Sequence, residues 1–380
     1  MTTSEMKEIF IITGESSGDQ HAAKYIKEHR ILNNNLFFSG IGQESMRKMD
    51  VSLIYNSEDI SVVGLTEVIF KYKKIKKVLE LAKKYIRDKK PALVILVDYV
   101  EFNLKVAAYA KSLGIPTLFY IAPQVWAWRE GRINNIIKVV DHLAVVFPFE
   151  YRIFSEVSKN VSFVGHPLAD DNELKPIKIN YEDKNYDLGI FPGSRESEIK
   201  NNIYVMLDCI RPSNERGSKK DNVAIFYANQ RSKKLLEKML PKHMHLMLVS
   251  GKDREKIKQC KKVITASGTV TLELALMDIP MVIVYKLSFV THFIMKRLVK
   301  LKYIGLVNLI LGDNLGDEVV VKEYIQPNYH DQVEIMAELK KIDNDADYRN
   351  EILKKYIRIR DVLKPGAAKN LASIADKLIS

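Results

Sequence analysis

Cysteine is nearly absent from this chain. Cys209 and Cys260 are the only two in 380 residues, too few for a disulfide framework and in no zinc spacing. A reducing cytoplasm is the expected setting. No apolar run approaches the roughly 20 residues that span a bilayer. Residues 1–7 are polar, and the apolar run at 8–12 is too short for a signal-peptide core, so no export or membrane crossing is expected. The G-x-G-x-x-G fingerprint of dinucleotide sites is missing, and so is the lysine of a P-loop. Tryptophan occurs twice, at Trp126 and Trp128.

What remains describes a globular α/β protein. Hydrophobic residues make up 47% of the chain and charged residues 28%. At 380 residues, two domains of about 150–200 residues each are expected. Apolar, strand-like runs at 8–13, 36–39, 93–97, 117–121, 142–147 and 161–164 alternate with helical patterns at 18–30, 66–87 and 104–113. A polar stretch at 170–185 reads as a linker. The alternation then restarts, with strands at 186–191, 223–227, 245–249, 262–265 and 281–284. Helices are expected at 195–210, 233–240, 269–277 and 289–300. From about Gln332 the pattern is helical, broken at Pro365-Gly366 before a last amphipathic helix. The predicted architecture is two doubly wound α/β domains, 1–175 and 186–355, facing a cleft. A helical tail, 356–380, packs back toward the first.

Net charge is +12, and the excess is uneven. Residues 71–90 hold ten basic side chains against two acidic ones. Apolar positions Val63, Leu65, Val68, Ile69, Tyr72, Ile75 and Leu79 fall near helical spacing beside them. A basic amphipathic helix can lie on an anionic membrane surface; the same stripe can equally pack into the domain core. A second basic, apolar stretch runs over 286–302. No nucleic-acid motif accompanies the charge, so nucleic acid is not expected as a partner.

Open α/β sheets bind ligands beyond the carboxyl ends of their strands. Five loops there carry chemistry. The first is Gly14-Glu15-Ser16-Ser17-Gly18-Asp19-Gln20-His21, dense in polar groups at a helix start. The second begins at Asp98, directly after Val94-Ile95-Leu96-Val97. A carboxylate at the end of an apolar strand suits a general base, or it caps the following helix. The third is Ile121-Ala122-Pro123-Gln124-Val125-Trp126-Ala127-Trp128-Arg129, whose aromatic faces, amide and guanidinium suit a sugar, or whose rings pack beneath the loop. In the second domain, Pro192-Gly193-Ser194-Arg195 places a fixed charge at a helix start, where a phosphate fits. Ala266-Ser267-Gly268-Thr269 combines close backbone approach with two hydroxyls. Glu273 lies one turn further on, placed to accept from a ribose diol.

Together with Phe147-Pro148-Phe149-Glu150 and Gly165-His166-Pro167-Leu168, these segments occur in an order that resembles lipid-A-disaccharide synthases. The resemblance runs from residue 14 to beyond 320. It implies two Rossmann-like domains of GT-B architecture and an inverting transfer that joins two acylated glucosamines. The donor would be UDP-2,3-diacylglucosamine and the acceptor 2,3-diacylglucosamine 1-phosphate, with UDP released. Asp98 matches the family's base position. Ser194, Arg195, Ser267, Gly268, Thr269, Glu273 and Asn308 match the UDP side, and Glu15, Ser17, Gln124 and Trp126 the acceptor side. The chain departs from the family pattern at Val100-Glu101, at Val307 before Asn308, at Lys322, and in a lengthened loop after Gly312.

No cofactor and no metal are expected. Asp343, Asp345 and Asp347 lie far in sequence from the phosphate loops, lack calcium-loop spacing and read as a solvated turn. An epimerase acting on soluble UDP-sugars is the competing enzyme reading, and a basic binding module the non-catalytic one. An enzyme that takes lipid substrates would sit peripherally on the inner face of a Gram-negative inner membrane, against its anionic surface. A homo-oligomer is left open.

Overall fold

The structure, a computed structural model, describes residues 6–60, 65–121, 132–209, 222–242, 244, 246–286, 303–311 and 318–380. The chain divides into two compact units, Met1–Asp170 with Leu363–Ser380, and Asp171–Val362.

The first unit holds a sheet of β1 (Lys7–Thr13), β2 (Leu36–Gly42), β3 (Ser52–Asn56), β4 (Leu93–Val97), β5 (Thr117–Tyr120), β6 (His142–Val145) and β7 (Val161–Phe163). Their spatial order is β3-β2-β1-β4-β5-β6-β7, and every pairing is parallel. β4, Leu-Val-Ile-Leu-Val, is buried along its whole length, as a central strand covered on both faces must be. One face of the sheet, with Phe10, Ile12, Val94, Leu96 and Phe119, packs in a core with Val78, Ala82 and Ile86 of the helix Leu65–Lys89 and Val106 and Ala110 of the helix Val100–Ser112.

The last helix, Ala367–Ile379, packs on the helix Ser16–Leu32. Polar contacts fasten it at both ends. Asp170 accepts from the N–H groups of Gly366 and Ala367 at 2.7 and 3.2 Å, which satisfies the helix start. Asp376 accepts from Asn33 at 3.0 Å, and Lys7 donates to the carbonyl of Ile379. Residues 356–362, placed in the tail by the sequence pattern, instead continue the helix Ala346–Leu363 and group with the second unit.

The second unit's sheet contains β8 (Leu188–Phe191), β9 (Val223–Tyr227), β10 (Leu246–Ser250), β11 (Val263–Thr265), β12 (Met281–Tyr285) and β13 (Glu323–Ile325), in the order β10-β9-β8-β11-β12-β13 and again all parallel. The strand order reverses between β1 and β4 in one unit and between β8 and β11 in the other. Those reversals are where a crevice opens at the carboxyl edge of such a sheet. The helix expected at 289–300 lies outside the described residues.

The basic amphipathic stretch divides. Ile75 packs against the core and Leu79 is buried in it, so from there the stripe faces inward. Tyr72 is 60% exposed, and Lys73, Lys74, Lys76, Lys77 and Lys84 face solvent around it. Val63 lies outside the described residues, as do the side chains of Leu65, Val68 and Ile69. No helix among the described residues is long and apolar enough to cross a membrane.

Candidate active site

In the first unit, β1 and β4 run side by side with Thr13 opposite Val97, so their exit loops are neighbours. Glu15 is extended at the start of the helix Ser16–Leu32, is exposed, and makes no side-chain capping bond. Ser17 is also exposed on the first turn. Asp19 has a different role from the one its loop suggested. It is 1% exposed and accepts from the N–H groups of Gln43, Ser45 and Met46 at 2.6, 2.7 and 3.4 Å, which caps the short helix Glu44–Arg47. Asp19 therefore holds the fold rather than a ligand.

Asp98 and Tyr99 both adopt the left-handed backbone conformation, with φ of 50° and 44°. For residues with a Cβ this costs roughly 1–2 kcal/mol each, so something must hold them there. Asn103, fully buried, donates from its amide to the carbonyl of Asp98 at 2.7 Å and to that of Val97 at 3.3 Å. The Asp98 N–H donates to the carbonyl of Tyr120 at 3.1 Å. The Tyr99 hydroxyl donates to the carbonyl of Ile60 at 3.1 Å, and its ring stacks on Phe102 with centroids 5.3 Å apart. That ring lies directly on Gly14: a Cβ there would come within 2.3 Å of Tyr99 Cγ, so only glycine fits.

The helix Val100–Ser112 takes Tyr99, not Asp98, as its N-cap residue. Asp98 is thus free of the capping role that its position allowed. Its carboxylate forms no ion pair among the described residues. Burial, and secondarily the negative charge of Glu15, hold its proton affinity above the usual carboxylate range. On the helix that Glu15 precedes, His21 is kept neutral by burial and then by Lys24, its pKa pushed down to about 4. His166, whose ring lies 4.9 Å from that of Phe147, is pushed down to about 3 by burial and then by His21. Neither imidazole brings positive charge to this face at neutral pH. Gln124 and Trp126 lie outside the described residues.

In the second unit, Thr265 pairs with Phe191, so the loops after β8 and β11 are neighbours in turn. Ser194 and Arg195 are exposed at the start of the helix Glu196–Asp208. Glu198 holds both: one carboxylate oxygen accepts from the N–H groups of Ser194 and Arg195 at 3.1 and 3.3 Å, and the other from the Arg195 guanidinium at 3.1 Å. The groups suited to a phosphate are already arranged around a carboxylate. After β11, Gly268 has φ of 152°, a conformation that glycine alone adopts freely, and open space lies where a side chain would project. Thr269 is exposed and makes no side-chain capping bond, while the Ser267 hydroxyl donates to the carbonyl of Ile304 at 3.1 Å. Capping therefore explains neither hydroxyl.

Glu273 is bound by a residue the sequence reading passed over. Arg254, at the carboxyl end of β10, donates to it at 2.6 Å. Burial raises the proton affinity of Glu273, and Arg254 opposes that rise. The signal for Arg254 was its place at a strand end, masked by the charged run Lys252-Asp253-Arg254-Glu255-Lys256.

Asn308 requires a correction. It is fully buried, and its amide donates to the carbonyl of Val321 at 2.9 Å and to Glu323 at 3.2 Å. Its oxygen accepts from the N–H groups of Val320 and Val321 at 2.9 and 3.0 Å. All four hydrogen-bonding positions are occupied within the chain, leaving none for a nucleotide. Glu323 in turn accepts from the N–H groups of Ile304 and Gly305 at 2.8 and 3.1 Å. Asn308 thus helps hold the segment whose Ile304 carbonyl meets Ser267. The acidic turn is likewise engaged: Asp343 pairs with Lys262 and accepts from Tyr181 at 2.7 Å, and Asp345 accepts from the Tyr348 N–H at 2.9 Å. Among the described residues, no group of three or more His, Cys, Asp or Glu is placed to hold a metal ion.

Solved structures similar to this one include a Staphylococcus aureus MnaA–UDP complex and a glycotransferase of kitacinnamycin. The first has a TM-score of 0.59 at 14% identity over 96% of this chain and 94% of that one. The second has a TM-score of 0.62 at 12% identity, covering 98% and 99%. A Neisseria meningitidis UDP-GlcNAc 2-epimerase matches at 0.57 with 11% identity, covering 98% and 99%. Epimerases and a glycosyl-transferring enzyme share this two-sheet fold, so the fold alone does not choose between them. Sequence does. The family model for lipid-A-disaccharide synthetase matches residues 9–377. Lipid-A-disaccharide synthases of Geobacter metallireducens and Coxiella burnetii (strain Dugway 5J108-111) are each 34% identical, the first over 96% of this chain and 95% of its own, the second over 98% and 99%. The chain belongs to the lipid-A-disaccharide synthase family.

Proposed function

We propose that Asp98 is the general base of the family's glycosyl transfer, which joins UDP-2,3-diacylglucosamine to 2,3-diacylglucosamine 1-phosphate. The Asp98 carboxylate takes the proton of the acceptor's 6-hydroxyl as that oxygen bonds to the donor's anomeric carbon. The bond from that carbon to the diphosphate breaks on the opposite side, and UDP leaves with the electron pair. The observation that carries this reading is the Asp98 carboxyl itself. It stands at the sheet's switch point, partly buried, in no ion pair among the described residues and not the N-cap residue, with its proton affinity raised above the usual carboxylate range, in the direction that suits a base. Glu15 and Ser17, exposed on the adjacent loop, serve the acceptor side, and so do Gln124 and Trp126.

Arg195 and the Ser194 and Arg195 N–H groups stabilise the charge that grows on the diphosphate, displacing the Glu198 carboxylate that they hold here. Ser267, Gly268 and Thr269 present backbone and hydroxyls beside them, and Glu273 accepts from the ribose. Asn308 supports this half from beneath, as a positioning residue. Exposed Tyr72 and the lysines around it support peripheral attachment to an anionic membrane surface on the cytoplasmic side. A groove of about 430 Å³ lined by Tyr55, Lys74, Lys77, Val78, Glu80, Leu81 and Lys84 extends the same basic surface.

The test is transfer between the two acylated substrates by purified protein, with EDTA present. Asp98→Ala is expected to lower kcat by about 10²- to 10⁴-fold, the usual loss with a general base, while UDP affinity holds. Near-wild-type turnover in folded Asp98→Ala protein would remove Asp98 from the mechanism. Loss of wild-type activity in EDTA would remove the metal-free account of the leaving group.

A further inference from the structure

Arg254 has a role that charge alone does not suggest. Asp253 accepts from the Lys256 N–H at 3.2 Å and so starts the short helix Arg254–Lys258 where β10 ends. This fixes the backbone of Arg254. One of its terminal nitrogens donates to Glu273 at 2.6 Å and also to the carbonyl of Gly251 at 3.3 Å. The Arg254 and Glu273 side chains are only 21% and 18% exposed. The pair is shielded enough to hold its geometry, unlike a surface ion pair, and keeps one edge open. Only one carboxylate oxygen of Glu273 is engaged, and the other takes no bond from the described residues.

A carboxylate recognises a vicinal diol when it is ionised, is held in one orientation, and has an acceptor oxygen to spare. A mostly buried glutamate alone fails the first two of these conditions, because burial favours its neutral form and its terminal torsion turns freely. We infer that Arg254 is the positioning residue for ribose recognition, holding the Glu273 carboxylate so that its free oxygen meets the ribose hydroxyls of a uridine diphosphate. This rests on the reading of Glu273 as the ribose acceptor. It assigns to the strand-end residue the discrimination between a ribonucleotide and a nucleotide without the diol.

Calorimetry with UDP and with 2′,3′-dideoxy-UDP tests it, because loss of fold or of phosphate contacts weakens both ligands alike. The wild-type protein is expected to prefer UDP by about 10- to 100-fold, the range for hydrogen bonds to a charged group. Glu273→Gln and Arg254→Ala should each reduce that preference to within about threefold and leave the affinity for the dideoxy ligand unchanged. Arg254→Lys should recover part of it, since the charge returns without the planar fork. If Arg254→Ala does not fold, Arg254→Lys and Arg254→Gln carry the comparison. A full preference in Glu273→Gln sinks the ribose assignment, and this inference with it. Loss of preference in Glu273→Gln but not in the Arg254 variants overturns the inference alone. An equal weakening of both ligands in the Arg254 variants overturns it too, and makes Arg254 a phosphate contact or a structural residue.

Discussion

Removing the Asn103 amide should release the loop that carries Asp98, the proposed base. Two consecutive left-handed residues at Asp98 and Tyr99 hold about 2–4 kcal/mol of backbone strain, at roughly 1–2 kcal/mol each. The Asn103 amide opposes that strain with bonds of 2.7 and 3.3 Å to the carbonyls of Asp98 and Val97. In Asn103→Ala those carbonyls lose their partner, and an unpaired buried group costs about 1–3 kcal/mol. Some of this returns as the loop relaxes, so a net loss of about 2–4 kcal/mol in urea denaturation is expected. Relaxation moves the Asp98 carboxyl, and a displacement of about 1 Å costs on the order of 10²-fold in rate. kcat should therefore fall by about that factor while UDP affinity is unchanged. Asn103→Asp separates hydrogen bonding from packing. It keeps the shape but turns a carboxylate oxygen toward two carbonyls, so it should be at least as damaging as alanine. A mild Asn103→Asp beside a severe Asn103→Ala would mean that volume, not donation, holds the loop. A folded Asn103→Ala with wild-type kcat would refute the reasoning entirely.

The negative charge of Glu15 raises the proton affinity of Asp98, so Glu15→Gln should lower it. The ionised base then persists to lower pH, and the acid limb of the kcat/KM profile should move to lower pH whatever happens to its height; an unmoved limb would separate the two carboxylates. Arg195→Ala should weaken UDP binding by calorimetry and also slow transfer, and Arg195→Lys should restore only part of either, because the planar fork is lost. Unchanged UDP affinity in the alanine variant would take Arg195 out of the site. The protein should sediment with anionic vesicles at low salt and be largely released at high salt, since each lysine near such a surface contributes about 1 kcal/mol that salt screens. Tyr72→Glu with Lys77→Glu should weaken that association without lowering the melting temperature; no change would place the contact elsewhere on the chain.

Much of the architecture is legible because central parallel strands are apolar on both faces, as β4 and β12 are, and such runs stand out from their surroundings. β3 and β13 do not stand out. They are edge strands of five and three residues with mixed exposure, and their pairing partners create them more than their composition does. Asp98 was visible as a carboxylate ending an apolar strand. Its left-handed conformation was not, because no glycine marks it and the ring that shapes the turn rests on Gly14, far away in sequence. Asp19 and Asn308 show the opposite failure. Each is a polar residue in a functional-looking loop, and only burial among backbone N–H groups reveals that it builds the fold. Arg254 looked like one charge among many until its partner across the unit was known.

The C-terminal helix has a consequence for how this protein is made. The half that carries Asp98 is discontinuous, needing Leu363–Ser380 to cover the helix Ser16–Leu32. On a ribosome adding about 5–20 residues per second, the first 170 residues wait on the order of 10–40 s for that last segment. The second unit, Asp171–Val362, is contiguous and can fold first. Nascent chains therefore expose a helix face of the half that carries Asp98 until residues 363–380 have emerged, and a chaperone that shields it would act on that half alone. The same arrangement makes the stretch 363–380 a poor place for a nonsense mutation. A chain cut at 362 keeps the whole second unit, yet undoes the packing on the helix Ser16–Leu32 in the unit that carries Asp98.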